Sequence, residues 1–288
     1  MNPRTAFLIN TRGNPDRLVG VCCALSDTAA RPDLITFAIR ADDDDPETIA
    51  AVHRLAEIIP GAVKLFVGTR PLSLGAEINH MAANVEADTY HVINDDTWPL
   101  TRFWDACLAQ HHKDNPVFMS CWMLAGPTAP DYPIVSRQWL DANDGKLFTD
   151  HFPYWFDDRW LGDVACLLTG DLIHPLPIWL CAHKKGTQRM RDFPFWVDFF
   201  MAHHQDRIDQ AQRMANKMNL NLDIRRDRAD WIHKTWDWHG DLVTNAETIQ
   251  QKNADSREPD AAYLEAKARA EAILARRVSK IATEVAVA

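Results

Sequence analysis

Three acidic groups and one histidine stand next to patterns that would begin or end regular elements. Asp42-Asp43-Asp44-Asp45 follow an apolar run, and Asn94-Asp95-Asp96 follow another. Asp157-Asp158 open a periodic apolar segment, and His183 closes the run IWLCAH. Carboxylates brought into one crevice repel each other unless a cation or hydrogen-bond donors offset the charge. A divalent metal does this well: oxygen ligands suit Mg²⁺ or Mn²⁺, and an imidazole shifts the balance toward Mn²⁺. Each residue also has a plainer use. Asp45 and Asp158 are good helix caps, Asp42 and Asp44 are expected to be solvated, and a histidine at a strand end is often structural. Arg12 and Arg70 are either surface ion pairs or contacts to a diphosphate.

Chemistry at these positions requires elements that bring them together. Thr5 to Asn10 (TAFLIN), Leu34 to Arg40 (LITFAIR), Ala62 to Val67 (AVKLFV) and Thr89 to Ile93 (TYHVI) read as strands. Between them, Leu18, Val21, Cys22 and Leu25 share one helical face, as do Ile49, Val52, Ala56 and Ile59, and Leu74, Ile78, Met81, Ala82 and Val85. Asn14-Pro15 and Asp45-Pro46 each place a cap before a proline, a helix-start signal. Strand–helix alternation of this period predicts an α/β fold with a mainly parallel, helix-covered sheet. In such sheets ligands bind beyond the carboxyl ends of the strands, where the acidic groups fall.

The middle is less regular. Val117 to Met123 reads as one strand, followed by a loop with Pro127, Pro130 and Pro133. A helix runs from Asp157-Asp158 through Leu168, and Ile178 to His183 reads as a strand. Lys184, Lys185, Arg189 and Arg191 form a basic loop, and Asp192 caps one long helix from Phe193 to about Met218. Arg225 to Gly240 mixes cations with Trp231, Trp236 and Trp238, and a helix runs from Ala261 to about Glu284.

Taken together, the strand ending in Thr11-Arg12, the acidic run after the second strand and Leu74-Gly75-x-x-x-Asn79 resemble nucleotide-sugar glycosyltransferases of the Rossmann-like GT-A fold, most closely family 2. The resemblance covers about residues 5 to 200. It implies that Asn94-Asp95-Asp96 stands at the family's metal motif, with Asp96 the metal ligand and Asp95 a helper or nucleotide contact. Asp157-Asp158 stands at the catalytic pair, with Asp158 as general base, and His183 at a downstream metal-binding histidine. Thr11, Arg12, Asp43, Arg70 and Asn79 would then contact the donor, with Asp43 reading the nucleoside. The implied reaction is metal-dependent, inverting transfer of a sugar, most simply from a UDP-sugar, to a hydroxyl acceptor with Mn²⁺ or Mg²⁺. Two departures stand out: Asn-Asp-Asp replaces Asp-x-Asp, and Asp44-Asp45-Pro46 replaces the usual glycine-serine turn.

Composition narrows the alternatives. The 288 residues are 47% hydrophobic and 25% charged, which excludes a disordered, collagen-like or coiled-coil chain. A formal charge of −9 argues against a dedicated nucleic-acid binder. No run of 18 apolar residues could cross a membrane, and six scattered cysteines without a C-x-x-C pair point to neither zinc nor a disulfide framework. A cytoplasmic protein is expected, with a glycosyltransferase domain over 1–222 and a Trp/Arg-rich segment and helix over 223–288. The acceptor is a glycan or small hydroxyl compound, or a hydroxymethylated base in phage DNA. In the DNA case Arg225, Arg226 and Arg228, with the basic loop, would meet phosphates. A glycoside hydrolase using two carboxylates and a non-catalytic sugar- or nucleotide-binding module are the competing readings.

Overall fold

Pro15 and Pro46 at the first positions of two helices, and the apolar runs between them, set the first half of the chain. The structure, a computed structural model, describes residues 2–59, 61–115, 117–124, 132–182, 191–255 and 257–287. Strands β1 (Thr5–Thr11), β2 (Ile35–Asp42), β3 (Val63–Gly68) and β4 (Thr89–Val92) alternate with helices α1 (Pro15–Thr28), α2 (Pro46–Ile58) and α3 (Leu74–Ala83). The next elements are β5 (Thr97–Pro99), α4 (Trp104–Asp114), β6 (Met119–Cys121), β7 (Met123–Leu124), β8 (Pro133–Ser136) and α5 (Arg137–Ala142). Then come α6 (Asp157–Thr169), β9 (Trp179–Ala182), α7 (Phe193–Ala202) and α8 (His204–Lys217). The chain closes with α9 (Ile224–Asp227), α10 (Ala229–Asp237), α11 (Gly240–Lys252) and α12 (Ala261–Val287).

The large sheet has the order β3-β2-β1-β4-β8-β6. Its first four strands are parallel, and β8 runs antiparallel to both β4 and β6. A small sheet, β5-β9-β7, lies beside it. Alternate residues of the central strands enter two cores, as a sheet covered on both faces requires. Phe7, Ile9, Phe37 and Ile39 pack with Leu18, Val21 and Leu25 of α1 and Val52 and Leu55 of α2. Ala6, Leu8, Ala38 and Tyr90 face α3 and the bundle of α6, α7 and α8. Ile224 of α9, Ala246 of α11, and Tyr263 and Ala270 of α12 belong to that second core.

Three expectations about the elements need correction. The run at 117–123 is two strands in different sheets, divided at Trp122, whose N–H goes to the Tyr132 carbonyl at 3.1 Å. Pro133 is not in a loop: it opens β8, where the first strand position needs no N–H. The helix from Phe193 breaks at His203. There the Phe200 carbonyl accepts from His203 N at 3.2 Å and from the Arg207 guanidinium at 2.7 Å, in place of the regular helical bond. Asp192 has left-handed backbone (φ 49°), makes no capping bond, and gives its carboxylate to Lys267 and Tyr263 instead.

Candidate functional site

Parallel pairing puts the carboxyl ends of β1, β2 and β4 side by side, with Thr11 opposite Ala41 and Leu8 opposite Val92. Thr11 Oγ1 donates to Asp95 Oδ2 at 2.6 Å and so ties the end of β1 to the acidic turn after β4. Burial pushes the Asp95 carboxyl above the usual range; the Thr11 hydrogen bond opposes the shift and the Asp96 charge adds to it. Asp96, half-buried, makes no hydrogen bond or ion pair among the described residues. Two adjacent carboxylates, one held in a poorly solvated place, favour a cation in front of them.

A second knot forms at the end of β2. Asp42 is 5% exposed rather than solvated, because Arg40 Nη1 and Arg12 Nη1 each reach it at 2.5 Å. Arg40 also contacts Glu77 at 3.0 Å and the Thr69 carbonyl, and Arg12 contacts Asp44. Asp45 is the cap of α2, accepting from Thr48 N at 3.2 Å, and it also accepts from Gly13 N at 2.7 Å. Asp43 is exposed. Arg12, Arg40 and Asp42 border a cavity of about 250 Å³, with Asn10, Thr11, Arg70 and Asp95 also on its walls; Asp43 does not line it.

The catalytic-pair candidates sit in the first turn of α6. Phe156, the residue before it, has left-handed backbone (φ 74°), a costly conformation for an aromatic residue, held by ring contacts to Phe200 at 5.0 Å and Phe193 at 5.7 Å. The bend turns Asp157 inward and leaves Asp158 half-buried. Burial pushes the Asp157 carboxyl well above its usual range, and the charges of Asp158 and Asp150 push it the same way. Asp157 Oδ1 is buried with no partner among the described residues. Asp158 is not the helix cap; its Oδ1 accepts from Arg159 N, one residue on, at 2.8 Å. Both carboxylates line a cavity of about 520 Å³. It shares Asn10, Leu74 and Tyr154 with the smaller one, so the two join at the strand ends.

Gly75 allows this closeness. A Cβ there would lie 2.5 Å from the Thr149 carbonyl and 2.8 Å from Asp157 Oδ2. Asn79, one turn on, does not face either cavity. Its Oδ1 accepts from Leu147 N and Phe148 N, and its Nδ2 donates to the Phe148 carbonyl, pinning the segment that leads to Asp157. Arg70 lines the smaller cavity and pairs with Asp260 at 3.0 Å.

His183 lies outside the described residues, as do Lys184, Lys185, Arg189, Pro127 and Pro130. Arg225 pairs with Asp209 and Arg226 with Asp227, while Arg228 donates to the carbonyls of Leu168 and Thr169. These three arginines are therefore already engaged within the chain. Trp231 packs edge-on against Trp238 at 5.7 Å, and Trp236 and Trp238 are exposed. Sequence reasoning missed Asn10, Arg40 and Tyr154. Arg40, a lone cation in an otherwise apolar strand, was the legible signal among them.

No family model matches the sequence, and no curated protein does. Solved structures do match. A mannosyltransferase from Pyrobaculum calidifontis, in complex with GDP-Man and Mn²⁺, aligns over 95% of this chain and 81% of its own, with TM-score 0.59 and 14% identity. S. aureus TarS 1–349, in complex with UDP-GlcNAc, aligns over 91% and 79%, with TM-score 0.60 and 11% identity. At such identities the likeness establishes architecture: the chain is built on the fold of nucleotide-sugar glycosyltransferases.

Proposed function

We propose that this protein transfers a sugar from a nucleoside diphosphate donor, a UDP-sugar foremost, to an acceptor hydroxyl with inversion at the anomeric carbon, in the manner of family 2 glycosyltransferases. The observation that carries the reading is the joined pair of cavities. One is walled by Arg12, Arg40, Arg70 and Asp95 at the strand ends, and the other holds Asp157 and Asp158. Guanidinium groups suit phosphate oxygens, and the buried Asn10 Oδ1, without a partner among the described residues, suits a ligand hydroxyl at the junction. The two similar structures were solved with GDP-Man and UDP-GlcNAc, which share a diphosphate.

The residues fit a metal that is shared with its substrate. Among the described residues no three His, Cys, Asp or Glu side chains form a cage. A hard cation that keeps waters and takes further oxygens from phosphates needs only one or two carboxylates. Asp96, with Asp95 beside it, would hold Mn²⁺ or Mg²⁺, and His183 is the further ligand proposed. When bound, the metal offsets the charge that grows on the departing diphosphate.

Protein groups supply the remainder. Arg12 and Arg70 hold the diphosphate, while Thr11 and the buried Asp42 border the nucleoside. Asp158, the more accessible of the pair, takes the acceptor proton, a contribution of about 10²–10⁴ in rate. Behind it, burial favours the protonated form of Asp157. The test is hydrolysis of a panel of nucleotide sugars with and without Mn²⁺, in wild type and Asp96→Ala. Mn²⁺-dependent hydrolysis of one donor, lost in Asp96→Ala, is expected. No hydrolysis of any donor, or equal rates in the variant, would remove this reading.

A further inference from the structure

Beyond the reaction cavity a third one, of about 370 Å³, opens between α6 and the turn joining α10 to α11. Its walls are mostly carbon and sulfur: Cys166, Leu172, Ile173 and Pro175 on one side, Trp238 at the other. Gly162, inside α6, leaves its stretch of wall without a side chain, although glycine costs a helix interior roughly 0.5–1 kcal/mol relative to alanine. The cavity's acid is already satisfied. Asp163 is held by Arg207 at 2.9 Å and by His239 at 3.0 Å.

Among the described residues Arg159 joins this cavity to the reaction cavity, since it lines both. It is half-buried, yet its guanidinium makes no hydrogen bond or ion pair among the described residues. The other buried or half-buried arginines, at 40, 137, 191, 207, 228 and 277, all have carboxylate or carbonyl partners. A half-buried cation without an anion is poorly compensated. Placed next to the proposed base and facing an apolar pocket, it is a ready site for an oxyanion attached to a carbon-rich group.

We propose that Arg159 and the cavity ending at Trp238 form an acceptor subsite, which takes an acceptor bearing a phosphate or carboxylate near the reacting hydroxyl and a carbon-faced ring or chain beyond it. This rests on the transferase reading. The hydroxyl would lie at Asp158, the oxyanion on the fork of Arg159, where two parallel N–H···O bonds are available, and the apolar remainder against the exposed face of Trp238.

The probes are 1-naphthyl phosphate, 1-naphthoate and neutral 1-naphthalenemethanol, followed by calorimetry with the full chain and with UDP present to fill the donor cavity. Binding of one or both anions, weakened about 10-fold or more in Arg159→Gln and by less in Arg159→Lys, which keeps the charge but not the fork, is expected. Trp238→Leu should weaken all three probes. Arg54→Gln, an exposed arginine on α2, serves as the charge control and should change nothing. Which anion binds better tells phosphate from carboxylate. If the neutral probe binds as well as the anions, or Arg159→Gln binds them as wild type does, the subsite is overturned; a melting curve of each variant excludes unfolding as the cause. Donor hydrolysis by wild type, measured separately, tells failure of this subsite from failure of the transferase reading.

Discussion

Two neighbouring aspartates in one helical turn have different environments, and their substitutions should therefore differ. Asp158→Asn keeps size and removes proton acceptance, so turnover should fall by about 10²–10⁴ while UDP affinity stays near wild type. Intact transfer would reassign the base to Asp157. Asp157 holds its proton more tightly folded than unfolded, because burial penalises its charge. Its contribution to stability is therefore full below the ordinary carboxylate range and is lost as pH rises through the raised folded value. Asp157→Asn, a neutral mimic of the protonated acid, should remove that alkaline-side loss, which urea midpoints at acid and alkaline pH would show as a flatter dependence than wild type. The acidic groups were legible in sequence because strand ends and, for Asp157-Asp158, a helix start are legible. Which member of each group is buried was not: Asp42 and Asp157 turn inward through Arg40 and through the backbone of Phe156, contacts that no local pattern encodes.

Among the elements, the site depends on how closely α3 approaches the start of α6. The α3 N-terminus is set by the Ser73 cap, whose Oγ accepts from Ala76 N at 3.2 Å, and Gly75 then lets the Thr149 carbonyl and Asp157 come in. Gly75→Ala improves helix propensity by roughly 1 kcal/mol but forces a Cβ against a backbone oxygen and a buried carboxyl. Overpacking of this kind costs about 1–3 kcal/mol. Lower melting temperature together with lower turnover is expected, and a melting point at or above wild type would show that the two elements can part without loss. The first four strands and three helices could be read directly, since period and helix-start prolines agree there, although Asn14 makes no capping bond to α1 and donates to Asp95 and the Arg12 carbonyl instead. Elements that depend on distant partners could not. Strand β8 exists because β4 and β6 flank it, and the break at His203 exists because the Arg207 side chain takes a carbonyl from the helix ladder.

At the scale of the whole molecule, two buried histidines make the fold sensitive to acid. His91, fully buried among Phe7, Trp104 and Trp122, accepts from Trp122 Nε1 at 3.2 Å on Nδ1, which leaves its proton on Nε2. Burial lowers its pKa to about 3. His203, at the break between α7 and α8, gives its Nδ1 proton to the Phe199 carbonyl at 2.7 Å. Burial lowers it to about 4, against the opposing pull of that carbonyl and of Asp206, 3.9 Å away. Unfolding returns both to about 6.5, so the unfolded chain binds more protons between that value and the folded ones. Stability is then full above pH 6.5 and falls as the pH drops toward 4. At pH 5 the loss is about 2 kcal/mol for each histidine, a large share of the 5–15 kcal/mol that holds a typical domain. His91 anchors one core of the sheet and His203 the other, where α7 meets Arg277 of the last helix through the Ala202 carbonyl. Acid should therefore unfold both cores in one transition rather than release the C-terminal helices first. Circular dichroism and tryptophan fluorescence followed from pH 7 to pH 4 should give coincident midpoints, and His91→Gln, which retains an acceptor for Trp122, should move both to lower pH together. An early, separate fluorescence change, with the sheet still intact, would show that the terminal helices are held more loosely than their shared core implies.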